Sequence, residues 1–163
     1  MTASPALVIE SFRPADQAEV KRLILAGLAE HWGALDPAKN PDLNDIASTY
    51  ADSVFLVARQ DGRIIGTGAL VPRDDGTAEI VRMSVAKDAR RSGVGRAVLR
   101  ALCARAAARE FGRVVLETTE TWGEVIAFYL ANGFQVTHRR GGDVYFALDL
   151  ALSAVEGPAS EAG

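Results

Sequence analysis

Residues Ala78 to Arg96, AEIVRMSVAKDARRSGVGR, decide how the rest of the chain is read. From Glu79 to Val85 the residues alternate and are rich in branched side chains, which is the pattern of a strand. Arg90-Arg91-Ser92-Gly93-Val94-Gly95 follows as a small-residue turn that opens a long helical pattern. A strand that feeds such a turn presents backbone N–H groups beside the positive end of a helix dipole. That is an anion site, and phosphate is its usual occupant. Gly93 and Gly95 allow close backbone approach, while Arg90, Arg91 and Arg96 add positive charge. The stretch reads as a pyrophosphate cradle.

Three phosphate motifs and one bland reading compete for it. A Walker A loop ends in Gly-Lys-Ser/Thr, whereas Gly95 is followed by Arg96 and Ala97. A dinucleotide fingerprint requires a third small residue, and Val98 stands there instead. It also follows the first strand of its domain, and here several strands come earlier. Arg90-x-x-Gly93-x-Gly95 is the pattern that remains, against a glycine-rich loop of no special purpose.

The chain of 163 residues is long enough for one core, and the expected organisation is a single domain over 6–150 with a flexible tail over 151–163. With 18 basic and 21 acidic residues the formal net charge is −3, which gives no sign of a nucleic-acid or anionic-membrane partner. No apolar run reaches membrane-spanning length and no signal-peptide pattern opens the chain, so a soluble, unprocessed protein is expected. The single cysteine, Cys103, cannot form an internal disulfide, and a cytoplasmic location is the expectation. Cys103 lies in an alanine-rich helical run, where packing outweighs a nucleophilic role.

Leu7–Arg13 reads as a short strand, and Pro14 to about Glu30 as an amphipathic helix. His31 to Asn40 is a loop broken by Gly33 and Pro37, with a second short helix from about Asp42 to Ala51. His31 and Trp32 sit where loops carry specificity, although a tryptophan at a helix end is more often a lid on the core. Neither His31 nor His138 has a second ligand at metal spacing, so no metal site is expected. Ser53–Arg59 and Ile64–Val71 flank an Asp61-Gly62 turn, and with the central strand they make an antiparallel meander. The helix after the cradle runs from about Gly93 to Glu110, and Val94, Val98, Leu102 and the Leu99–Cys103 pair mark its buried stripe. Arg113–Thr118 returns as a parallel strand. Thr121-Trp122-Gly123-Glu124 reads as a capping box for a short helix that ends at Asn132-Gly133. A terminal hairpin over 134–150 turns at Arg139-Arg140-Gly141-Gly142.

The order β-α-α-β-β-β-α-β-α-β-β, the Arg90-x-x-Gly93-x-Gly95 turn and the piece Phe128-Tyr129-x-x-x-Gly133-Phe134 together resemble the GNAT family of N-acetyltransferases over about residues 6–150. The resemblance implies an α/β (α+β) fold, with a mixed six- to seven-stranded sheet, about four helices and central strands splayed for acetyl-CoA. It implies acetyl-CoA as co-substrate and no metal. It places the pyrophosphate on Arg90, Arg91, Ser92, Gly93, Val94, Gly95 and Arg96, and the pantetheine arm against Met83, Ser84 and Val85. The N–H of Val85 would then face the thioester oxygen. Where many family members carry an asparagine against that arm, this chain has Trp122.

By the same resemblance Tyr129 is the general acid, with packing beside Phe128 and Phe134 as its plainer role. Two carboxylates compete as base: Glu117, which resembles the base of protein N-terminal acetylating branches, and Glu79, which resembles that of the histone-acetylating branch. A carboxylate desolvated on an inner strand suits a base working near neutrality. An exposed strand-end charge is the bland reading of both. The expected activity is transfer of acetyl to the primary amine of a small molecule or amino-acid-like acceptor. Protein N-terminal or lysine acetylation and a non-catalytic acyl-CoA sensor are the alternatives. A homodimer through the terminal hairpin or a sheet edge is left open.

Overall fold

The computed structural model describes residues 6–33 and 37–150. The expected leader over 1–5 and tail over 151–163 lie outside them. Seven strands are present: β1 (Val8–Ser11), β2 (Val54–Gln60), β3 (Arg63–Pro72), β4 (Thr77–Val85), β5 (Arg113–Thr119), β6 (Gln135–Arg140) and β7 (Asp143–Asp149). Four helices flank them: α1 (Gln17–Trp32), α2 (Ile46–Thr49), α3 (Val94–Ala108) and α4 (Gly123–Ala131). The strands form one mixed sheet in the order β1-β2-β3-β4-β5-β7-β6. β1–β2 and β2–β3 are antiparallel, β4–β5 is parallel, and β7 runs antiparallel to both β5 and β6.

Local chemistry explains the turns. Asp61 and Gly62 both take positive φ, 55° and 76°, which is the primed turn that matches strand twist. Phe111 and Gly112 end the long helix, with the Phe111 N–H donating back to the Ala106 carbonyl at 3.1 Å. At α4 the expected capping box does not form. The Trp122 N–H bonds the Thr119 carbonyl at 3.0 Å, and the Glu120 N–H bonds the Gly142 carbonyl at 2.9 Å. This closes a turn that delays the helix by one residue and leaves Trp122, not Thr121, at the N-cap. The second helix is also shorter than expected: a 3-10 turn over Pro41–Asn44 precedes the single turn of α2.

Contacts divide the described residues into two compact units, one within 6–71 and 81–102, the other within 72–80 and 103–150. In the first, Val20 and Ile24 of α1 pack with Leu43, Ile46, Phe55, Val57, Ile64 and Ala69. Gln17 ties the α1–α2 segment down, donating to the Leu43 carbonyl at 2.6 Å and accepting from the Ile46 N–H at 2.9 Å. Val94, Val98, Leu99 and Leu102 of α3 are all buried, as their spacing predicts. In the second unit, Leu116, Phe134 and Phe146 are buried with Tyr129, whose ring lies 5.8 Å from those of both phenylalanines.

Gly68 sets how closely α3 approaches β3. A Cβ there would lie 2.6 Å from Met83 Sδ and 2.8 Å from Leu102 Cδ1 and Val98 Cγ1. Gly68→Ala should therefore destabilise the fold by about 1–3 kcal/mol through overpacking. Gly112→Ala, which meets nothing within 4 Å, should stay within about 0.5 kcal/mol. Urea midpoints of the two variants, at unchanged slope, check this contrast.

Candidate functional site

The candidate residues fall into two groups, one in each unit. The first begins on β4. Its parallel ladder with β5 has three registers, Thr77↔Arg113, Ala78↔Val114 and Glu79↔Val115, while β4 runs on to Val85. Residues Val81 to Val85 are all half-buried. Within this stretch Arg82 takes φ 58°, a left-handed conformation uncommon for any residue but glycine. Its carbonyl accepts from Thr67 Oγ1 at 2.8 Å. Its guanidinium pairs with Asp42 in two bonds, at 2.6 and 2.9 Å, and donates to Asn40 Oδ1 at 3.1 Å. Tyr50 donates to the same Asp42 carboxylate at 2.6 Å. Burial alone would raise the Asp42 carboxyl, but the bonds from Arg82 and Tyr50 outweigh it and hold it below the usual range. Burial and the Asp42 carboxylate push the Tyr50 phenol up to about 12.

β4 delivers Met83, Ser84 and Val85 to the turn that precedes α3. Arg91 and Gly93 take positive φ, 64° and 88°, and Arg90 to Gly93 are exposed. No atom lies within 4 Å of where a Gly93 Cβ would stand, so the loop's face is open. The Gly93 carbonyl accepts from the Ala97 N–H at 3.0 Å, and the first-turn N–H groups at 94–96 have no intrahelical acceptor. Arg90 is engaged differently from Arg91 and Arg96. Its Nε donates to the Val85 carbonyl at 3.2 Å and its terminal nitrogens bind the Glu30 carboxylate. That guanidinium holds the Glu30 carboxyl below the usual range. Glu30 was not evident from the sequence, because no local pattern links positions sixty apart. His31 and Trp32 follow it at the end of α1, with rings edge to face at 5.0 Å. Trp32 is 56% exposed and is not a lid on the core.

The second group lies on β5 and α4. Tyr129 is 5% exposed, and burial pushes its phenol far above the ordinary range, so it keeps its proton. Glu117 is on the other face of the sheet. Its neighbours Leu116 and Thr118 are buried on the Tyr129 side, opposite Phe146 and Val144, while Glu117 pairs with Tyr145 and is exposed. The desolvation expected of an inner-strand carboxylate is absent there. Glu79 is half-buried, and its carboxylate accepts from Arg73 at 2.8 Å. Trp122 is half-buried at the start of α4. Burial pushes the Cys103 thiol up to about 11, which keeps it protonated and unreactive. Among the described residues no group of three or more His, Cys, Asp or Glu is placed to hold a metal ion. No helix among them is long and apolar enough to cross a membrane.

Residues 20–134 match the model of the acetyltransferase (GNAT) family. The chain belongs to that family. It is 31% identical over 132 residues to the IAA acetyltransferase of Azospirillum brasilense, covering 80% of this chain and 85% of that protein. The human N-acetylaspartate synthetase is 32% identical over 126 residues, 75% of this chain, but the match spans only 41% of that longer protein. A rat N-acetyltransferase family 8 member 3 is 34% identical over 104 residues, 59% of this chain and 46% of that protein. Among solved structures, a GNAT acetyltransferase of Staphylococcus aureus superposes with a TM-score of 0.82 at 21% identity, covering 89% of this chain and 99% of that one. The PaiA N-acetyltransferase of Thermoplasma acidophilum, solved in complex with coenzyme A, gives 0.78 at 17% identity, covering 88% and 99%. The fold is thus that of the GNAT enzymes. The loop over 90–96 has room for a pyrophosphate, since nothing beyond its chain neighbours lies within 4 Å of a Gly93 Cβ and the first-turn N–H groups of α3 have no intrahelical acceptor.

The Arg82–Asp42 pair generates a stability test. Asp42 has a depressed carboxyl in the folded state, so its contribution is complete above the ordinary carboxylate range and is lost as pH falls through and below it. Asp42→Asn should lower stability at neutral pH by about 1.5–3 kcal/mol. It should also flatten the loss of stability between about pH 5 and 3. Urea unfolding of both proteins across that range measures the slope.

Proposed function

We propose that this GNAT acetyltransferase transfers the acetyl group of acetyl-CoA to the primary amine of a small, amino-acid-like acceptor. The observation that carries the reading is the open turn over 90–96. It follows Met83, Ser84 and Val85 and begins α3, and it matches the family signature at each defining position. When bound, acetyl-CoA supplies an activated thioester: the amine nitrogen bonds to its carbonyl carbon, the carbon–sulfur bond breaks, and CoA leaves as the thiol.

The chain's part is to hold the cofactor and handle two protons. First-turn N–H groups of α3 and the cations Arg91 and Arg96 hold the pyrophosphate. The half-buried backbone of Met83–Val85 serves the pantetheine arm, and the Val85 N–H can stabilise negative charge on the acyl oxygen. Trp122 supplies an apolar contact where an asparagine is common. Tyr129, protonated in its buried place, stands at the family's acid position and is assigned the proton that the departing sulfur takes up; its burial makes that donation harder. Glu117 takes the proton that the amine gives up. It is preferred to Glu79 because the Glu79 carboxylate is already bonded to Arg73. The name of one relative, N-acetylaspartate synthetase, supports an amino-acid-like acceptor.

Isothermal titration should show binding of acetyl-CoA but not of ATP or NADH. Tyr129→Phe should lower kcat about 10²-fold or more while acetyl-CoA affinity holds. Loss of affinity together with turnover would assign Tyr129 to packing. Binding without turnover of any amine in the wild type would instead mark an acyl-CoA sensor. Glu117→Gln should depress kcat by about 10²-fold or more, and Glu79→Gln should not.

A further inference from the structure

β5, β7 and β6 lie side by side, and their register sets Glu117 opposite Tyr145 and Tyr145 opposite His138. Directly paired residues project from the same face of a sheet. A carboxylate, a phenol and an imidazole therefore form one row across three strands. The row depends on one irregularity. Val136 pairs with Phe146 and His138 with Tyr145, so Thr137 is an extra residue on β6. Without that bulge, His138 would pair with Val144 and turn to the buried face. Bulges re-aim side chains in this way.

The face is preorganised although it is open to solvent. The His138 ring stacks on Tyr145 at 4.2 Å with an interplanar angle of 7°. The Arg140 guanidinium lies over the same ring at 5.7 Å. Thr137 Oγ1 stands 3.0 Å from His138 Nδ1 and donates to the Tyr145 carbonyl at 3.3 Å. His138 and Arg140 are exposed and Tyr145 is half-buried. A merely solvated strand face has no need of a fixed aromatic flanked by an imidazole and a cation. Asp143, paired with Arg140 in the register, is one of the further acidic residues on this face, with Asp149 and Glu79, and limits its positive charge.

We propose that Glu117, Tyr145, His138 and Arg140 form the acceptor platform, and that it selects an amine that also carries one carboxylate. This rests on the transfer reading above and adds the part of the acceptor remote from the reacting nitrogen. Glu117 meets the ammonium at one end of the row. Arg140 meets the carboxylate at the other, with the Tyr145 ring and the His138 imidazole stacked on it between them. β5 and β6 stand two strand spacings apart, about 10 Å, and inward-reaching side chains narrow this to the span of an amino acid.

Initial rates on matched pairs of acceptors, an α-amino acid and the amine that lacks only its carboxylate, test the platform. The wild type should prefer the carboxylate-bearing member. Arg140→Gln should raise KM for that member about 10- to 100-fold. The KM for the neutral member, the KM for acetyl-CoA and kcat should each hold within about threefold. His138→Gln should shift the same ratio in the same direction. Equal losses for both members in Arg140→Gln would overturn the proposal, as would a wild type that prefers the neutral member of every pair with transfer intact. Turnover of no amine would sink the transfer reading instead. The platform is then judged by titrating α-amino acids into the CoA-loaded protein and following the His138 imidazole resonances. Shifts that Arg140→Gln abolishes would sustain it, and unmoved resonances would overturn it.

Discussion

A left-handed residue in the middle of a strand is the constraint on which this structure turns. Arg82 stands at φ 58° within β4, a conformation that costs a residue with a side chain about 1–3 kcal/mol. It is held from two directions, by the Thr67 hydroxyl on its carbonyl and by Asp42 on its guanidinium. Upstream, β4 is ordinary sheet, with Ala78 and Ile80 buried and registers to β5. Downstream, the strand presents Met83, Ser84 and Val85 half-buried, then enters the turn before α3. Changing the Arg82 conformation would re-aim every backbone group between it and the cradle. The Asp42 bond thus fixes a conformation as well as contributing stability.

The same logic ties α1 to the cradle. Gly27 brings the helix so close to β4 that a Cβ there would lie 3.2 Å from Ser84 Oγ. One turn later, Glu30 binds the guanidinium of Arg90, which also holds the Val85 carbonyl. Arg90 therefore braces the loop from its side. In the other unit burial does the sorting. One face of β5 and β7 closes over Tyr129 with Leu116, Val144 and Phe146, and the opposite face stays open with Glu117 and Tyr145.

What the sequence disclosed and what it hid follow from the range of the interactions. Strand alternation, the Asp61-Gly62 turn and the α3 stripe are local, and the structure has them within a residue or two. The turn before α3 was legible for the same reason: its glycines, arginines and helix start lie within seven residues. The failures were competitions between local and distant bonds. Thr121 and Glu124 make a good capping box on paper, but Glu120 reaches Gly142 on the terminal hairpin and the turn so formed moves the cap to Trp122. Glu117 alternates as an inner-strand residue, yet nothing in its own strand says which face the neighbouring hairpin leaves open. Glu30 with Arg90 and Asp42 with Arg82 join positions too far apart for any pattern to pair.

This contrast separates the two recognition tasks. In the proposed reading, cofactor recognition uses backbone groups, small residues, nearby arginines and a helix terminus, all contiguous, so it can be read as a motif. The acceptor row is built from side chains on three strands, and their shared face depends on register. A single inserted residue, Thr137, decides whether His138 stands beside Tyr145 or turns away. A change of one residue in that hairpin can therefore alter what the enzyme accepts while leaving the cradle, Tyr129 and the core in place. Acceptor choice is for that reason the property least legible in the linear sequence and most directly legible in the strand register.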